Sequence, residues 1–156
     1  MPQNFTLTAI KPGSPIDHSP IAATQSSLWL KSPHEQPATF QLRNDEVFLY
    51  AEPAPSQKLY TDRSGMGQGV LQYTHDAAQA ATLNPNRIEQ SGWAVHGDKL
   101  QLRGTGFLAT PGGEGGAWRV WMDTGNKNPA GQQGGVGFEV RVVPVPHPVG
   151  KHYSNL

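Results

Sequence analysis

Residues 39–50 read Thr-Phe-Gln-Leu-Arg-Asn-Asp-Glu-Val-Phe-Leu-Tyr, and this stretch decides the fold class. Polar and apolar residues alternate from Thr39 to Arg43, which is the period of a β-strand with one buried face. Asn44 and Asp45 suit a tight turn, and an apolar-rich run follows at 46–50. The stretch therefore predicts an antiparallel hairpin.

The same strand-like pattern recurs along the chain, without a comparable helical period. The 18 glycines and 14 prolines suit short strands joined by turns, because both residues destabilise helix interiors. We predict an all-β fold of about ten strands, a single compact antiparallel β-sandwich or β-barrel. A β-trefoil is a minor alternative, because three segments form a weak repeat, at 27–30, 58–61 and 99–102. The other predicted strands are 5–9, 69–74, 93–95, 106–109, 117–122 and 137–143.

Helix propensity is confined to residues 76–81, where we expect one or two turns before Pro85. From residue 144 onward the chain is rich in proline, which lacks the amide hydrogen that a strand ladder requires. We therefore predict a single β domain at 1–143. The Pro-rich tail at 144–156 is expected to run extended over the surface or to be disordered.

The charge balance and the residue types exclude several classes of function. Lys plus Arg and Asp plus Glu number 12 each, so no net field attracts nucleic acid or membrane lipid, and we predict neither partner. Absence of cysteine excludes disulfides, thiolate metal sites and a catalytic thiol. No signal peptide or membrane-spanning stretch is expected in this chain. Edge strands can pair between chains, so we expect a monomer or a weak homo-oligomer.

Two of the four tryptophans are candidates for ligand binding. Neighbouring residues of a strand point to opposite faces, so the side chain of Trp29 points away from the face that carries the apolar Leu28 and Leu30. By the same rule Trp121 shares a polar face with Arg119 and Asp123. If their indole rings are exposed, Trp29 and Trp121 would offer a platform for a sugar ring, with Arg119 and Asp123 as polar partners. The alternative is that loops cover both tryptophans.

Motifs for catalysis or metal binding do not stand out. The sequence has no His-Glu-x-x-His spacing and no Gly-x-Ser-x-Gly elbow, and the glycines at 65–69 lack the context of a phosphate-binding loop. We predict no catalytic residue, no metal site and no cofactor. Asn4-Phe5-Thr6 is the one N-glycosylation sequon, so Asn4 is a candidate glycosylation site if the chain is secreted.

Residues 59–74 read Leu-Tyr-Thr-Asp-Arg-Ser-Gly-Met-Gly-Gln-Gly-Val-Leu-Gln-Tyr-Thr. Four shorter motifs follow in order: Ser-Gly-Trp at 91–93, Gly-Phe-Leu-Ala at 106–109, Trp-Arg-Val-Trp at 118–121 and Gly-Gly-Val-Gly-Phe at 134–138. Together they resemble the PhiA-type fungal cell-wall proteins, also described as IgE-binding-protein-like. The resemblance spans most of residues 5 to 143.

The resemblance implies a secreted, non-catalytic protein of the fungal cell wall, associated with spore-bearing structures. It also implies two cysteines that this chain lacks, near 109–111 and near 134–136. Two alternatives remain open from the residues themselves. One is a carbohydrate-binding module or lectin that binds wall polysaccharide through Trp29 and Trp121. The other is a polysaccharide-active enzyme, which requires two carboxylates about 5–10 Å apart in a groove.

Overall fold

The computed structural model describes residues 4–33, 35–52, 54–148 and 152–153. Nearly all regular structure in these ranges is β-strand, with one short helix, α1 (Ala77–Ala80), and 3₁₀ turns at Glu114–Gly116 and Pro129–Gly131. The strands are β1 (Asn4–Ile10), β2 (Ile21–Thr24), β3 (Ser27–Leu30), β4 (Phe40–Arg43), β5 (Glu46–Leu49), β6 (Leu59–Asp62), β7 (Val70–Tyr73), β8 (Ile88–Glu89), β9 (Trp93–His96), β10 (Lys99–Leu102), β11 (Phe107–Thr110), β12 (Trp118–Met122) and β13 (Val136–Pro144).

The described strands form one antiparallel sheet that is not closed, in the order β5-β4-β1-β13-β11-β12-β3-β7-β6-β8. Three of the described strands lie outside this order. β10 pairs with both β13 and β9, and β2 pairs with β3. The long strand β13 connects two sections of the sheet. The first section contains β1, β4, β5, β9 and β10, and the second contains β2, β3, β6, β7, β8, β11 and β12. The first residues of β13, 136–138, pair with β11, whereas 139–144 pair with β1.

Both sections contribute to the same hydrophobic core. Phe5 and Phe40 from the first section stack with ring centroids 6.3 Å apart. Phe107 packs against Trp93 and Phe138, so the core continues across the junction at β13. Leu28 and Leu30 of β3 are fully buried in this cluster, as the alternation in the sequence predicts. The inner faces of the two sections therefore enclose one core, and a surface site is expected on their outer faces.

The all-β antiparallel fold is confirmed, and the hairpin at 39–50 forms as β4 and β5, with Arg43 opposite Glu46. The described residues form thirteen strands rather than about ten. The β-barrel and β-trefoil alternatives are wrong, because the sheet is not closed. The repeat at 27–30, 58–61 and 99–102 falls in β3, β6 and β10, which do not occupy equivalent positions in the strand order.

The predicted helix forms at Ala77–Ala80, where the Asp76 carboxylate caps the first turn by accepting from the Gln79 amide at 2.8 Å. The Pro-rich tail is more closely attached than expected. Pro144 still faces Phe5 in the strand register, and the Val145 amide donates to the Asn4 carbonyl. The division into a domain at 1–143 and a tail at 144–156 stays a prediction.

Tyr153, in the predicted tail, is buried rather than spread over the surface. Its backbone N–H donates to Gln57 Oε1 and its carbonyl accepts from Gln57 Nε2, both at 2.9 Å. Its phenolic oxygen accepts from the Thr39 amide at 3.1 Å. The expectation of a surface-bound or disordered tail is therefore wrong at Tyr153.

Candidate functional site

The outer face of the second section carries a stack of aromatic and cationic side chains. Trp29 of β3 and Arg119 of β12 are direct cross-strand partners. The Arg119 guanidinium carbon lies 5.8 Å from the centroid of Trp29 and 5.5 Å from that of Trp121. Alternation along β12 thus places Trp121 and Arg119 on the face that the sequence predicts, and the guanidinium contacts both indole rings.

Trp121 is buried, with 2% of its surface exposed. It clusters with Val70 and Leu108, which are its register partners on β7 and β11. Gly135, in the Gly-rich loop before β13, lies against one member of this cluster, since a Cβ on that glycine would be 3.3 Å from Leu108 Cδ1. The expectation that Trp121 is an exposed platform is wrong, because Val70 and Leu108 pack against it and the Arg119 guanidinium lies over its ring.

Arg119 is partly buried and held in place within the stack. Its guanidinium donates to the Ser27 hydroxyl at 3.0 Å, while its Nε has no hydrogen-bond partner among the described residues. Burial lowers the pKa of Arg119 from its usual value. The contacts with Trp29 and Trp121 make Arg119 a packing and positioning side chain for both rings.

Trp29 is half-buried, and its indole is fixed from two sides. Its Nε1 donates to the Thr24 carbonyl at 3.1 Å, and Arg119 lies over its ring. The hairpin turn before it uses left-handed conformations at Gln25 (φ 56°) and Ser26 (φ 61°), as expected for a tight β2–β3 connection. The rest of the ring lines a surface groove.

This groove, which we call the Trp29 groove, has a volume of about 180 Å³. Two segments far apart in sequence form it, namely residues 24–33 with Glu35, and residues 114–117. Glu35 is half-buried and Glu114 is exposed. The lining of the Trp29 groove includes an aromatic ring, two carboxylates, an amide and two hydroxyls, from Trp29, Glu35, Glu114, Gln25, Thr24 and Ser32.

Glycines allow the two segments to approach each other. A Cβ on Gly113 would lie 2.6 Å from the Ala117 carbonyl oxygen and 3.0 Å from Trp29 Cζ3. A Cβ on Gly115, which has φ of 68°, would lie 2.6 Å from Pro33 Cγ. The sequence identifies 111–116 only as a Gly-rich loop, whereas the structure shows that the missing side chains make room for the walls of the groove.

Asp123 does not belong to the Trp29 groove. Its carboxylate accepts from Lys127 Nζ and from the Gly125 amide, both at 2.9 Å, and these contacts organise the turn after β12. The hydrogen bond from Lys127 is the largest cause that holds the pKa of Asp123 below its usual value. Asp123 lines a different, wide depression with Phe138 and Gly137. Of the four predicted ligand-binding residues, only Trp29 lines the Trp29 groove. Asp123 lines the other depression, Trp121 is buried, and Arg119 packs against both indole rings.

Comparison with known proteins agrees with the sequence resemblance. The family model described as PhiA-like secreted protein matches residues 5–154. The chain belongs to the PhiA-like secreted protein family. It is 38% identical over 154 residues to the cell wall protein phiA of Aspergillus fumigatus, covering 92% of this chain and 81% of that protein. The corresponding protein of Aspergillus niger is 37% identical over 148 residues, covering 88% and 78%. No solved structure matches.

The two segments where the PhiA resemblance implies cysteines are adjacent in this structure. Ala109 and Val136 are register partners between β11 and β13. A Cβ on Gly134 would lie 3.3 Å from Pro111 Cγ. The chain contains no cysteine, so the strand ladder and the close approach of Gly134 to Pro111 hold these segments together without a disulfide.

Asn4, the glycosylation candidate of this PhiA-like chain, is the first residue of β1. Its side-chain oxygen accepts from Gln41 Nε2 at 3.1 Å, across the pairing with β4. Its side-chain nitrogen, the atom that a glycan would modify, makes no protein hydrogen bond among the described residues. Glycosylation of Asn4 stays a prediction.

Histidine chemistry is limited in the described part of the chain. His75 and His152 contact edge to face, with ring centroids 5.0 Å apart, and His152 Nε2 lies 3.0 Å from the His75 carbonyl oxygen. The described residues contain no group of three or more side chains that could hold a metal. No helix in the described ranges is long and apolar enough to cross a bilayer.

Proposed function

We propose that this PhiA-family chain is a secreted, non-catalytic structural protein of the fungal cell wall, retained there by a wall polysaccharide in the Trp29 groove. The family is one of secreted proteins, and the relatives from both Aspergillus species carry a cell-wall name. Expression in spore-bearing structures is part of the proposal. We further propose that the protein acts as a monomer or weak homo-oligomer, without nucleic acid or membrane partners.

The Trp29 groove is the observation that carries the binding part. Ligand sites combine an apolar or aromatic surface with a few polar groups that fix orientation. The half-buried ring of Trp29 supplies the aromatic surface, and its hydrogen bond to Thr24 holds it in one orientation. Gln25, Glu35 and Glu114 supply acceptors for sugar hydroxyls. A pre-formed site of this kind loses little conformational entropy on binding.

One observation favours the enzyme alternative, since Glu35 and Glu114 line the same groove. A glycosidase requires two carboxyl groups, one of which acts as a general acid with a raised pKa in an apolar pocket. Glu114 is exposed to solvent, which does not suit that role. We therefore favour binding, and incubation with chitin, glucan and mannan oligosaccharides tests the alternative through the appearance of shorter products.

Retention on insoluble polysaccharides tests the proposed function. The wild-type chain, Trp29→Ala and the control Met66→Ala are mixed with chitin, chitosan, β-glucan or mannan particles, and bound protein is measured. Met66 is 92% exposed on the β6–β7 loop, so its change leaves the groove intact. We expect the wild type and Met66→Ala to bind at least one polymer, with about tenfold weaker binding for Trp29→Ala. Equal binding by Trp29→Ala, or no binding to any polymer, would contradict the proposal.

A further inference from the structure

We propose that the Trp29 groove selects a polysaccharide whose sugars carry free, protonated amino groups, such as a polymer of hexosamine. This inference rests on the proposed polysaccharide binding and specifies its ligand class. Two observations support it: the groove is lined by acidic and not by basic side chains, and its two carboxylates have no basic partner among the described residues.

The groove is acidic in a protein that is neutral overall. Glu35 approaches from the segment after β3 and Glu114 from the loop before β12. Among the described residues that line the groove, none is lysine or arginine. Arg119 touches Trp29 and Ser27 but does not line the groove, and Lys31 lines a separate cavity beside Glu35.

Both carboxylates are available for a ligand cation. Several other surface carboxylates are already neutralised by basic partners: Glu89 lies between Arg63 and Arg103, and Asp98 lies between Lys99 and Arg141. The side-chain carboxylates of Glu35 and Glu114 form no hydrogen bond or ion pair with the described residues, and the one bond of Glu114 is made by its backbone carbonyl, which accepts from the Ala117 amide. A half-buried carboxylate such as Glu35 gains more from a cationic partner than a fully solvated one does.

The aromatic wall adds to the same preference. An ammonium group is attracted to the face of an indole ring, and Trp29 is fixed at the side of the two carboxylates. Uncharged sugars would gain only hydrogen bonds and stacking here. Polymers with phosphate or carboxylate groups would meet like charges, which opposes their binding. The groove therefore distinguishes amino sugars from their N-acetylated or anionic counterparts.

Calorimetric titration with two ligands of equal length tests the inference. One is a β-1,4-linked glucosamine oligomer, and the other is its fully N-acetylated counterpart, both at mildly acidic pH and low salt. We expect the free amines to give about tenfold tighter binding, weakened by added salt. The double variant Glu35→Gln with Glu114→Gln keeps the shape of the groove and should bind both ligands about equally. Glu139→Gln, which removes a carboxylate from another surface, should keep the wild-type preference.

The outcomes separate this inference from the proposed function. Tighter binding of the N-acetylated oligomer, or a preference for free amines that survives in the double glutamine variant, overturns the inference. If in that case Trp29→Ala still weakens the binding of neutral polymers, the proposed function stands. If neither oligomer nor any neutral polymer binds, both fail.

Discussion

Trp121 Nε1 donates a hydrogen bond of 3.0 Å to Thr110 Oγ1, across the pairing of β12 with β11. The indole is buried with Val70 and Leu108, so this bond satisfies a polar group that water cannot reach. Trp121 is consequently part of the scaffold that supports Arg119 and, through it, Trp29.

Substitutions at this pair should reduce stability strongly. Thr110→Val leaves the indole N–H without an acceptor and should cost about 1–3 kcal/mol. Trp121→Ala also creates a cavity and should cost about 3–5 kcal/mol. Urea denaturation measures both changes, and the exposed control Met66→Ala should stay within about 0.5 kcal/mol of wild type. A Trp121→Ala variant as stable as Met66→Ala would show that the indole is not part of the packed scaffold.

Tyr153 should anchor the C-terminal segment to the domain. Tyr153→Ala removes a buried ring and should lower the free energy of unfolding by about 3–5 kcal/mol. Tyr153→Phe keeps the ring but removes the acceptor for the Thr39 amide, and should cost about 1–2 kcal/mol. Denaturant unfolding gives both values. Equal stability of wild type and a chain shortened after residue 148 would contradict the anchor.

The four tyrosines should titrate in two groups. Burial raises the pKa of Tyr60, Tyr73 and Tyr153, so the folded state disfavours their phenolates. Stability is therefore full below the unfolded pKa of about 10 and falls as the pH rises above it. Tyr50 is only half-buried, and its hydrogen bond of 2.7 Å to Glu52 is the largest cause of its raised pKa.

Absorbance at the phenolate band, followed together with circular dichroism, measures this titration. We expect Tyr50 to ionise reversibly in the folded protein, and Tyr50→Phe should remove that phase. The other three should ionise only as the fold is lost. Reversible ionisation of all four near their ordinary pKa, with the fold retained, would contradict the burial described above.

The sequence predicts the strand faces well, because side chains alternate with a period that the backbone imposes. Leu28 and Leu30 point inward and Trp29 outward as that period requires. It does not predict which outward residues are covered, because covering depends on contacts between distant segments. Trp121 is buried against Val70 of the distant strand β7, and the groove arises where residues 24–33 and Glu35 meet the loop at 114–117.

The tail illustrates the same limit. Proline-rich composition predicts a segment that does not pair as a strand, and this is a local property. The burial of Tyr153 depends on Gln57 and Thr39, which lie about a hundred residues earlier. No periodicity in the sequence connects these positions, so the anchor is visible only in the folded chain.

In the proposed function Trp29, and not another tryptophan, contacts a wall polysaccharide. Nitrogen-15 NMR tests it directly, because each of the four tryptophans gives one indole N–H signal. The Trp29 signal is assigned by its loss in Trp29→Phe. During titration with a soluble glucosamine or glucan oligomer, we expect that signal to shift while those of the buried Trp93 and Trp121 stay in place. Titrations in which the Trp29 signal never moves, or in which only other indole signals move, would contradict the claim.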